Sequence, residues 1–60
     1  MQTIWDEMSE AKQELDVAVA NFNQALEREV IDYWIYRIKS AQTKYDHLQK
    51  EARRAQAETA

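Results

Sequence analysis

Ile4, Met8, Ala11, Leu15, Ala18 and Phe22 recur at alternating spacings of four and three residues, which is the a/d seam of a heptad on one helix face. The second half repeats the pattern with Ile31, Trp34, Ile38, Ala41, Tyr45, Leu48, Ala52 and Ala55. The two seams are out of phase. Phe22 and Ile31 lie nine residues apart, and at ~100° per residue an uninterrupted helix would set them on opposite faces. Reversing the chain between them merges both stripes into a single seam. The pattern therefore predicts an all-α antiparallel two-helix hairpin, with helices over about 3–23 and 28–57 and the turn within residues 23–29. In that register Phe22 faces Ile31, Leu15 faces Ile38 and Met8 faces Tyr45, while Ala18 lies opposite Trp34 and Ile4 opposite Leu48. A small side chain against a bulky one fills the space between helices evenly.

The ends of the helices carry their own signals. Thr3 followed by Asp6 predicts the start of the first helix, because a hydroxyl can accept from an orphan amide and a carboxylate favours the positive end. Asn21 and Asn23 are expected to do what glycine usually does at a helix end, since asparagine tolerates the left-handed conformation. Glu27 and Glu29 then suit the first turn of the second helix. The final stretch, "QAETA" at residues 56–60, is expected to be disordered.

Composition strengthens the helical reading. The chain contains no Gly and no Pro, so nothing interrupts the backbone ladder. At 60 residues it forms one domain, residues 1–60, and a domain that short buries only ~60% of the surface its unfolded chain exposes. It has no Cys and a single His, which removes disulfides and the usual four-ligand structural zinc site as staples. Self-association is the staple that remains, and two hairpins are expected to pair into a four-helix bundle dimer. The lack of Cys fits a reducing compartment. "MQTIWDEMSE" is acidic where a signal peptide is basic and then apolar, and no apolar run approaches a membrane span. A cytoplasmic protein without membrane contact is expected.

Charge divides along the chain. Residues 1–29 hold seven acids and two bases, and residues 30–60 hold four acids and six bases, so net charges of −5 and +2 make up the overall −3. An antiparallel hairpin is expected to bring Asp6, Glu7 and Glu10 towards Lys50, Arg53 and Arg54. Such exposed pairs contribute ~0–1 kcal/mol each and set orientation more than stability.

Catalytic chemistry finds no foothold. His47 falls at the outward position c, and neither a second His nor a Cys accompanies it. Asp32 and Tyr36 make an i, i+4 pair explained by a surface hydrogen bond. Without glycine there is no phosphate-cradling loop. A non-enzymatic chain with no cofactor, no metal and no small-molecule substrate is expected. The basic run "KEARRA" could touch phosphate through Lys50, Arg53 and Arg54, but the acidic first helix repels nucleic acid from half of the surface. Nucleic-acid binding is thus the alternative reading.

The apolar residues outside the seam are informative. Trp5, Val19, Leu26 and Ile35 sit at e positions, Tyr33 at c and Tyr36 at f. A lone hairpin needs only a narrow stripe, so these residues predict a second contact surface. Tyr33, Ile35, Tyr36 and Arg37 are the candidate interaction surface, for a second copy or for another protein.

Asp32, the Ile35–Tyr36 pair, Ile38, Ala41, Tyr45 and Leu48, with Phe22 and Asn23 closing the first helix, give the chain a resemblance to a known family over roughly residues 10–54. It resembles the YaaL-like small proteins of Gram-positive, often spore-forming bacteria. Two positions depart from that pattern: Glu27 and Arg28 stand where the family commonly has Asp-Pro, and Trp34 where a small residue is usual. The resemblance implies a helical hairpin in a bacterial cytoplasm and brings no activity with it. Together these readings predict a self-associating protein–protein interaction module.

Overall fold

A computed structural model describes residues 2–59, apart from the side chain of Thr59. Helix α1 spans Ile4–Gln24 and helix α2 spans Arg28–Thr59, and the two pack against each other. No strand occurs among the described residues. The predicted boundaries hold to within a residue except at the C-terminus, where α2 continues through Thr59, two residues past the predicted end at 57, and residues 56–59 are helical where disorder was expected. Ala60, the last residue of the expected disordered stretch, lies outside the described residues.

The start of α1 follows from its capping chemistry. The Thr3 hydroxyl accepts from the Asp6 amide at 3.2 Å, and the Thr3 amide donates to Asp6 Oδ2 at 3.2 Å. The Glu7 amide donates to the Thr3 carbonyl at 3.0 Å. Two orphan amides are satisfied reciprocally, a complete capping box.

The turn works differently from the expectation. No described residue has positive φ, so neither Asn21 nor Asn23 supplies a left-handed helix end. The helix stops because Ala25 takes an extended conformation, φ −73° and ψ 135°, while its amide donates back to the Phe22 carbonyl at 3.2 Å. Asn21 stays helical, and its Nδ2 donates to the Val17 carbonyl at 2.9 Å, one turn back. Ala25, Leu26 and Glu27 make the whole link, and the Glu27 carbonyl accepts the first α2 bond from the Ile31 amide at 2.9 Å. Glu27 thus precedes α2, and Glu29 is the acid in its first turn.

The seam is the core. Ala11, Ala18, Ala41, Leu48 and Ala52 are buried, and Ile4, Met8, Leu15, Phe22, Ile31, Trp34, Ile38 and Tyr45 are half-buried. Ala55, the last predicted seam residue, is exposed. The reason is length: α1 has 21 residues and α2 has 32, so α2 overshoots its partner by ~16 Å at 1.5 Å per residue. The seam closes at Ala52, and residues 53–58 are exposed beyond it. The molecule is a rod of 49 × 18 × 15 Å.

The overhang, together with the outward f positions of Asp6 and Lys50, corrects the expected charge pairing. Lys50, Arg53 and Arg54 sit at or past the level of the α1 N-terminus, and the ion pair found among the described residues is Glu14–Lys44 at 3.6 Å. Asp6, Glu7 and Glu10 form none with the three bases. Glu14 and Lys44 are both g positions, and g-to-g′ pairing is what antiparallel helices allow. Both ends are about half-exposed, so the pair favours the register without adding much stability.

Candidate interaction surface

The hairpin has two flanks, one on each side of the seam. On the g/c flank an open groove runs between the helices, with a volume of about 330 Å³. Glu10, Gln13, Glu14 and Val17 of α1 line one wall, and Trp34 and Arg37 of α2 line the other. A smaller, polar recess continues it between Glu14, Arg37, Ser40 and Ala41. The groove's apolar lining is Val17 and Trp34, with the carboxylates of Glu10 and Glu14 on its α1 side and the Arg37 guanidinium on its α2 side. Trp34 is only half-buried there, although it occupies a seam position. Its ring meets Tyr33 edge-to-face, with centroids 4.9 Å apart and planes at 78°. Val30, also exposed, occupies the g position one turn before Trp34.

The opposite flank carries the e positions Trp5, Val19, Leu26 and Ile35, all exposed. Leu26 is the extreme case, 94% exposed at the tip of the turn. With the chain reversed there, Val19 and Ile35 lie at the same level of the hairpin.

The four residues singled out by the sequence therefore do not form one patch. Ile35 and Arg37 are two residues apart on a helix, ~200° in rotation, and fall on opposite flanks. Arg37 lines the groove and Tyr33 joins it through Trp34. Ile35 belongs with Val19 on the other side, and Tyr36 projects from the back of α2, 69% exposed. Tyr36 and Asp32 make no hydrogen bond with each other among the described residues. Sequence reasoning missed Val17, which is 51% exposed. Its signal was present, an aliphatic residue at position c of the first helix, where solvated residues are normal.

The residues of the alternative basic patch all lie on α2. Lys50, Arg53 and Arg54 are exposed near or on the overhang of α2. Among the described residues no three His, Cys, Asp or Glu side chains are grouped to hold a metal ion. His47 is exposed. No helix among the described residues is long and apolar enough to cross a membrane.

The family described as "Protein of unknown function (DUF2508)" matches the sequence over residues 2–59. No curated protein and no solved structure matches it.

Proposed function

The chain belongs to that family of unknown function, and from the shape of the hairpin we propose that it is a non-enzymatic interaction module that first of all binds a second copy of itself. One observation carries the reading: among the described residues Leu48, 9% exposed, is the one large side chain in the buried core, while eight large hydrophobic residues are exposed. A structure with this balance has more apolar surface than one hairpin can hide. The total area agrees. The chain exposes 5058 Å², about 1,000 Å² more than the ~4,100 Å² expected for a folded monomer of 7.1 kDa. A standard interface removes ~800 Å² from each partner. The reading places the dimer in the cytoplasm of a Gram-positive bacterium, as the YaaL-like pattern around Asp32, Ile35 and Tyr36 implies, where it could offer its remaining flank to another protein.

Light scattering at micromolar concentration tests the first step. A mass of about 14 kDa, twice the chain's 7.1 kDa, supports the reading. A stable 7.1 kDa species refutes it.

The second reading is a hairpin dimer that binds nucleic acid through Lys50, Arg53 and Arg54. The overhang favours it, since α2 carries these bases at and past the acidic α1. The net charge of −3 opposes it. Binding to RNA or DNA that weakens steeply with added salt, and that is lost in the variant with all three bases changed to Gln, would promote this reading over the first.

A further inference from the structure

Which flank the second copy covers, and in which direction it runs, can be argued from charge and level. Resting on the self-association proposed above, we infer that the g/c groove is the dimer face and that the two-fold axis runs along the length of the hairpin, so that both turns lie at the same end of a four-helix bundle.

Two hairpins stacked face to face can be related by a two-fold in only two ways. An axis perpendicular to the helices stacks α1 on α1 and α2 on α2. An axis along the helices stacks α1 of each copy on α2 of the other and leaves every residue at its original level. Helix α1 is the acidic one, with Glu10 and Glu14 on its groove side, and α2 brings Arg37 and Lys44 to the same flank. The perpendicular axis presses the two acidic sides together, and like charges facing each other across an interface are costly. The lengthwise axis lays acids over bases. Because levels are kept, Glu14 of one copy comes level with Arg37 of the other, and Glu10 with Lys44.

The apolar lining has the same self-complementarity. Val17 and Trp34 share one groove at one level, so the lengthwise axis carries Trp34 of each copy onto Val17 of the other. Both are incompletely buried in the single chain. Trp5, Val19 and Ile35 remain outside the groove.

The chain has no Cys, so Glu27→Cys at the exposed turn takes a single spin label. Pulsed electron–electron resonance on the dimer is expected to give a label distance below about 25 Å, since packed helices lie ~8–10 Å apart. With the turns at opposite ends the distance would exceed about 30 Å, the length of α1 at ~1.5 Å per residue, and the axis assignment falls. Val17→Glu should weaken the dimer at least about tenfold, while Val19→Glu on the other flank leaves it intact. Val17 is 51% and Val19 39% exposed in the single hairpin, so helicity is measured beside the dimer constant, and a Val19→Glu chain that keeps its helicity is the control for the opposite flank. The reverse sensitivity, with Val19→Glu disruptive and Val17→Glu silent, overturns the choice of face. An unvaried chain that stays monomeric removes the self-association itself, an outcome separate from the other two.

Discussion

Thr3 makes both a side-chain and a backbone bond to Asp6, and these form the N-terminal cap of α1. Replacing it with Ala should cost ~1 kcal/mol, the usual loss for an N-cap hydroxyl, and lower the melting midpoint measured by circular dichroism. Ala11 and Ala18 respond to the opposite kind of change. They are 0% and 2% exposed at the point where the helices approach, so Ala11→Leu should overpack the seam and destabilise by ~1–3 kcal/mol in a denaturant titration. A variant as stable as the parent would show that the helices separate easily there. At this scale the sequence was readable where the signal was local: the Thr3–Asp6 spacing predicted the cap. It was misleading at Asn21, because a residue able to adopt the left-handed conformation is not obliged to. The extended Ala25 with its amide returned to Phe22 reaches the same end, and no residue preference marks such a position.

At the scale of the helices, two seams out of phase proved sufficient to predict a hairpin. The structure places the reversal at residues 25–27, inside the predicted window. Cysteines at Met8 and Tyr45, both half-buried in the seam, should cross-link within one chain at a yield independent of protein concentration. Only intermolecular product would mean that the helices exchange between chains. The unequal lengths of α1 and α2 were also implicit in the sequence, yet the charge reading overlooked them. Matching acidic and basic segments by composition paired Asp6, Glu7 and Glu10 with bases that the overhang carries to or past the end of α1. Helix face, not segment charge, decides which ions meet: Asp6 and Lys50 are both outward f positions, whereas Glu14 and Lys44 are both g positions and pair across the seam. Glu14→Gln should therefore shift stability by less than ~1 kcal/mol, with the difference shrinking in high salt.

For the molecule as a whole, the sequence reading found the excess of apolar surface and misjudged its layout. Tyr33, Ile35, Tyr36 and Arg37 are adjacent in sequence, but a helix distributes such neighbours around its circumference, and only Tyr33 and Arg37 join the groove side. The α1 wall of the groove, with Val17 in its lining, comes from residues more than ten positions earlier in the chain. Only the fold brings the two halves together. The result is an elongated particle with a radius of gyration of 14.3 Å, where a compact chain of this length would have ~10 Å. Four of the five buried seam residues are alanine, and the larger seam side chains are half-buried apart from Leu48. The central claim is that a second copy completes this thin core. Thermal unfolding followed over a hundredfold range of protein concentration tests it most directly, because mass action ties the midpoint of a dimer to concentration. The melting temperature should rise steadily with concentration and the transition should stay single. A midpoint that does not move, with full helicity at the lowest concentration, would show that one hairpin is stable alone and would contradict the account.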